Sequence, residues 1–188
     1  MNTYEANQSK KFTLKTMVMI GVMTAITCIL APLSLPIGPV PISLTNLVIY
    51  FSLYLLGMKK ASISYLIYLL IGLIGVPVFS GFSSGPSKLF GSTGGYLIGF
   101  IFMTLIAGWG VDKFWNKWYL CLLGMILGTI VCYGLGTIWL AQQMALTAKA
   151  ALWAGVIPFI PGDLIKIGIA MVLGPQIKKR LIKAGTLC

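Results

Sequence analysis

The chain has no histidine and only three acidic residues among 188. Without an imidazole there is no histidine general base, and the commonest metal ligand is missing. The four cysteines form no CxxC pair and no metal-ligating cluster. Cys28, Cys121 and Cys132 lie in apolar runs and Cys188 at the terminus, so their expected role is packing. There is no Walker motif, so the chain does not hydrolyse ATP itself. Charged residues are also scarce, at 9% against 58% hydrophobic. Soluble domains have about 25% charged and about 45–50% apolar residues. With a mean hydropathy of +0.95, this chain cannot cover a core with polar surface, which points to an integral membrane protein.

The length fits a single domain, 1–188. The net charge of +11 does not point to nucleic acid, because the basic residues form no stripe. They recur between apolar runs, as membrane topology requires. The N-terminal tail holds Lys10, Lys11 and Lys15. The 58–60 turn holds Lys59 and Lys60, and the 112–117 turn Lys113 and Lys117. The C-terminal tail holds Lys178, Lys179, Arg180 and Lys183. All but Lys88, Lys149 and Lys166 thus fall on one side of a six-span chain. The positive-inside rule makes that side cytoplasmic, with both termini there.

The expected architecture is all-α, with a tail at 1–15 and six membrane helices at 16–33, 43–57, 61–75, 96–111, 118–140 and 162–174. A span needs about 20 residues, so several are short or interrupted. The first is read as a retained helix rather than a signal peptide, since no cleavage site follows it. Residues 32–46 carry four prolines, which predicts an extended loop. Residues 76–95 form a Gly/Ser loop with Phe79, Phe82 and Phe90 interleaved, and 141–157 contain a surface helix. The connections 32–46, 76–95 and 141–161 share the outer side, where a binding face is expected. Gly124 and Gly128 form GxxxG, a packing seam. Gly21 and Ala25 give the first helix a small-residue face, for internal packing or for a partner subunit.

The acidic residues decide where function is sought. Glu5 lies in the tail and Asp112 beside Lys113, but Asp163 lies in the apolar run PFIPGDLIK. Lys166 is three residues on, on the same helix face. An ionisable pair inside a membrane is costly, and its presence suggests a functional site. The pair is either a self-contained bridge filling the bundle or one acceptor and one donor in a ligand pocket. Enzyme chemistry on lipid or peptide through Asp163 or Lys166 is the competing reading, and apart from burial nothing in the sequence activates a lone lysine nucleophile.

Four segments carry a resemblance: GPVPISLT at 38–45, GLIGVPVFSG at 72–81, GSTGGYLIGF at 91–100 and PGDLIK at 161–166. In this order they resemble the BioY family, the biotin-specific substrate-capture (S) component of energy-coupling-factor (ECF) vitamin transporters. Ser92 departs from the proline usual there, which would loosen the turn. The resemblance implies six membrane helices in a bacterial cell membrane and high-affinity biotin capture from outside. It also implies partners, a transmembrane scaffold subunit and two cytoplasmic ATPases that use the ATP, with no cofactor held by this chain. A self-sufficient vitamin carrier is the alternative. By that resemblance Asp163 would accept from the ureido N–H groups, and Lys166 would meet either the ureido carbonyl or the carboxylate. Phe79, Phe82 and Tyr96 would pack the rings, and Asn46, Thr45, Ser80 and Thr93 would supply the remaining bonds. The 76–95 loop would act as a lid, and Gly21 and Ala25 would contact the scaffold.

Overall fold

A computed structural model describes residues 14–36 and 38–184. Residues 1–13 of the expected 1–15 tail, with Lys10 and Lys11, and the terminal Cys188 lie outside the described residues, and the tail's last two residues begin the first helix. The described residues form eight helices and one small hairpin. In chain order these are α1 (Leu14–Leu30), β1 (Ser34–Leu35), β2 (Ile42–Ser43), α2 (Thr45–Leu56), α3 (Met58–Ile74), α4 (Pro86–Phe90), α5 (Gly94–Lys113), α6 (Trp118–Gln143), α7 (Ala148–Gly155) and α8 (Ile160–Lys183).

The protein is an all-α membrane protein. Three helices, α5, α6 and α8, are long and apolar enough to cross a bilayer, and α1 and α2 are shorter apolar helices. Leucines and isoleucines cover the outside of the bundle, as they must where the solvent is lipid: Leu70, Ile130, Ile138, Leu164 and Ile165 are all exposed. The core is instead rich in tyrosine and small residues. Tyr50, Tyr65 and Tyr68 are buried, and each hydroxyl finds a partner: Thr129 for Tyr50, the Leu97 carbonyl for Tyr65, the Val78 carbonyl for Tyr68. With no water in the hydrocarbon, an unpaired hydroxyl there would be costly.

Helices α5 and α6 are the most closely packed pair, and glycine explains why. A Cβ on Gly110 would lie 3.2 Å from the Gly124 Cα, and one on Gly128 3.0 Å from the Met103 carbonyl oxygen. Gly99 meets the Cys132 backbone at the same 3.0 Å. The GxxxG at Gly124 is thus a seam inside the chain, where two backbones approach because neither helix carries side chains between them.

Several helix bounds differ from expectation. The turn expected at 58–60 is the first turn of α3. Gly57, at φ +76°, reverses the chain, and the Asp112 carboxylate accepts from the Met58 N–H at 2.9 Å. Asp112 is therefore within the end of α5 and serves as a cap supplied by another helix. The last helix does not stop at Gly174 but runs to Lys183 with Pro175 inside it. A proline there leaves one carbonyl unpaired without ending the helix, and the basic residues 178–183 continue it beyond the apolar part. The 32–46 loop closes on itself as the β1–β2 hairpin, pairing Ser34 with Ser43 and Leu35 with Ile42. The 76–95 loop contains α4, and α7 is the short helix within 141–157, with the Thr147 hydroxyl accepting from the Ala150 N–H at 3.4 Å.

The hairpin, the 76–93 segment and α7 gather at one end of the bundle. The Gly81 N–H donates to the Pro32 carbonyl at 3.1 Å, joining the first two. The α2–α3 and α5–α6 turns and the end of α8 occupy the opposite end, where Lys178 lies 4.0 Å from the Trp115 ring centroid.

Candidate functional site

Helix α8 opens with Pro161 in its first turn, a position where the missing N–H costs nothing. Asp163 follows in the same turn, where the helix dipole favours a carboxylate. Lys166, one turn on, points the same way. The two side chains form an ion pair at 2.9 Å, and the residues are 7% and 8% exposed. Each also has a second partner from elsewhere in the chain. The Tyr133 hydroxyl of α6 donates to Asp163 Oδ2 at 2.6 Å. Lys166 Nζ donates to the Ser43 carbonyl of β2 at 2.7 Å.

A self-contained bridge would fill its space, but this pair borders a small cavity of about 60 Å³. Ligand pockets combine apolar walls with a few placed polar groups. Tyr68, Phe100, Met103 and Phe159 supply apolar wall. The polar groups come from four parts of the chain: Ser43, Thr45 and Asn46 around the hairpin, Ser80 and Thr93 from the 76–93 segment, Thr129 and Tyr133 from α6, and Asp163 and Lys166 from α8.

Of the residues singled out in the sequence, Thr45, Asn46, Ser80, Thr93, Tyr96, Asp163 and Lys166 line this cavity. Phe79 and Phe82 do not. Phe79 is fully buried, stacked edge-on to Tyr68 at 5.6 Å and seated where a Cβ on Gly72 would overlap its ring. It holds the loop down on α3. Phe82 has a positive φ of 55° and is 65% exposed, turned outward by that backbone. Tyr96 presents its ring to the cavity, but its hydroxyl is spent on the Gly155 carbonyl at 2.8 Å, which ties α5 to α7. Gly21 and Ala25 are both exposed on α1. Among the described residues no atom lies within 4 Å of a Cβ built on Gly21, so no described element packs on the helix there.

Sequence reading missed Tyr133, Thr129, Phe100 and Phe159. A signal for the first two was present: a threonine and a tyrosine four residues apart share one face of an otherwise apolar span. Thr129 is held in turn by the Tyr50 hydroxyl at 2.6 Å, so α2, α6 and α8 are linked through Tyr50, Thr129, Tyr133 and Asp163. The Ser43 carbonyl had no sequence signal, because a backbone acceptor is placed only by the fold.

A solved structure described as the S-component for biotin from an ECF-type ABC transporter superposes with a TM-score of 0.81, at 33% identity over 95% of each chain. The biotin transporter BioY of Thermotoga maritima is 33% identical over 167 residues, 88% of this chain and 97% of that protein. The biotin transporter BioY of Lactococcus lactis subsp. cremoris is 34% identical over 174 residues, 88% of this chain and 92% of its own. The BioY family description matches residues 5–183. With a match of that extent, and an Asp–Lys pair buried beside a cavity in the same all-helical fold, the chain belongs to the BioY family.

Proposed function

We propose that this protein is the membrane-embedded subunit that captures biotin for an ECF-type transporter, with Asp163 and Lys166 gripping the ureido head. The supporting observation is the unspent bonding capacity of that pair. A carboxylate offers about four lone-pair sites, and Lys166 and Tyr133 use two. An ammonium offers three donors, and Asp163 and Ser43 use two. What remains is acceptor capacity beside one donor, which matches a cyclic urea with two N–H groups and one carbonyl. This favours the ureido carbonyl, rather than the valerate carboxylate, as the partner of Lys166. Thr45, Asn46, Ser80 and Thr93 stand around the remaining polar wall, and Tyr68, Tyr96 and Phe100 offer ring faces to the bicycle and its chain.

An ATP-driven uptake from this pocket would draw its energy from partner subunits, since the sequence carries no Walker motif. A scaffold subunit with two ATPases would supply it, meeting this protein along the exposed Gly21–Ala25 face. The cell membrane is the proposed location, with the basic end of the bundle and both termini in the cytoplasm and the hairpin end outside. Equilibrium binding of labelled biotin to the purified protein tests the reading. Saturable binding that Asp163→Asn weakens is expected. An absence of binding, or equal binding by the variant, would remove the assignment. Uptake by cells lacking the scaffold and ATPases separates a capture subunit from a self-sufficient carrier.

A further inference from the structure

Helix α8 packs chiefly on α2 and touches α6 sparsely. The gap between α6 and α8, bounded by α7, is an apolar groove of about 640 Å³. Gly134 and Ala141 of α6 and Ala148 and Ala151 of α7 make it deep, and Ile138 and Leu164 form its lips. Three of its residues, Thr129, Tyr133 and Asp163, also border the polar cavity. The two spaces are therefore separated by a wall of three side chains, held by the 2.6 Å bond from Tyr133 to Asp163.

We propose that this groove holds one acyl chain of a bilayer phospholipid, and that the chain backs Tyr133 so that Asp163 stays set for the ligand. The groove lies on a surface of exposed aliphatic residues that faces lipid, and almost nothing polar lines it apart from the shared wall. A spanning helix fits poorly, because the α6–α7–α8 connection closes the groove at one end. A lipid tail enters from the side and needs no exit. Lys149 is exposed on α7, next to groove-lining Ala148. It puts a cation at the α7 end of the groove, available to a lipid phosphate, an attraction that a net negative headgroup strengthens. A dry groove would leave Tyr133 with no contacts on its lipid side, and the partition would then rest on one hydrogen bond.

The coupling to ligand rests on the biotin reading above, and the experiment separates the two. Biotin binding is measured first in native membranes, then after purification with lipid retained, and after exhaustive detergent exchange. Native mass spectrometry follows phospholipid retention in each preparation. A Cβ on Gly134 meets no atom within 4 Å, so Gly134→Leu places a branched side chain into the groove beside Tyr133, where it competes with an acyl chain. The wild type is expected to keep one phospholipid and to lose biotin affinity when stripped. Gly134→Leu is expected to lose the lipid and keep its affinity when stripped. Lys149→Gln is expected to lose the preference for phosphatidylglycerol over phosphatidylcholine. No retained lipid, equal retention by Gly134→Leu, or equal affinity before and after stripping would overturn the proposal, and an unchanged headgroup preference would overturn the place given to Lys149. Lipid retention without biotin binding in native membranes would overturn the biotin reading and leave the lipid site standing.

Discussion

The Tyr133 hydroxyl and the Asp163 carboxylate meet 2.6 Å apart across two helices that otherwise barely touch. That bond joins the ion pair of α8 to the Thr129–Tyr50 contact, so the site is braced from α2 and α6 as well as from its own helix. Removing the hydroxyl should therefore be felt in ligand affinity more than in fold. Tyr133→Phe keeps the ring and its packing but takes away the charge-assisted donor that orients the Asp163 carboxylate. Calorimetric titration with biotin should show affinity reduced by about tenfold or more, with near-native helicity by circular dichroism.

The ion pair makes a sharper prediction about stability. Lys166→Met leaves the buried Asp163 carboxylate with its cation gone, a change that costs about 3–5 kcal/mol in comparable cases. The double substitution Asp163→Asn with Lys166→Met removes both charges and should recover much of that loss. Thermal unfolding in detergent checks both, and a double variant no more stable than Lys166→Met would show that the charges are not coupled.

Asp163→Asn alone keeps the shape of the side chain and exchanges a charged acceptor for a neutral one. Hydrogen bonds to ionised groups are roughly twice as strong as neutral ones. Biotin binding should weaken by about tenfold at least, which corresponds to 1.4 kcal/mol. Radiolabelled binding at equilibrium measures this directly.

Packing between α5 and α6 leaves no room at Gly95, where a Cβ would overlap the Trp139 side chain. Gly95→Leu should cost at least the about 1–3 kcal/mol typical of overpacking, and should lower the unfolding temperature sharply. Gly134→Leu, on the same pair's open side, should not.

At the opposite end of the bundle, Asp112 accepts from the first N–H of α3. Losing a helix cap costs about 1 kcal/mol. Asp112→Ala should lower thermal stability by that modest amount and leave biotin affinity unchanged, because the cap lies at the far end from the pocket. A loss of affinity equal to that of Tyr133→Phe would show that the two ends are coupled.

The membrane class and the pair at Asp163 and Lys166 were legible in the sequence, because hydrophobicity and the rarity of charge are local quantities. So was the succession of apolar helices, since length and punctuation by glycine, proline and lysine mark spans without reference to their neighbours. The α8 end was misplaced because Pro175 looks like a stop, whereas its neighbours carry the helix past it. Phe79 and Phe82 looked like ring-packing residues because aromatics in a loop suggest a pocket. Their roles were set instead by a vacancy over Gly72 and by a positive φ, neither of which one residue's type reveals. Only the tertiary structure brought Tyr133 and the Ser43 carbonyl to the ion pair and left a gap between α6 and α8. Those contacts join groups 30 and 123 residues apart, and what decides them is how closely glycine seams let particular helices approach, a property of pairs of surfaces rather than of any stretch of chain.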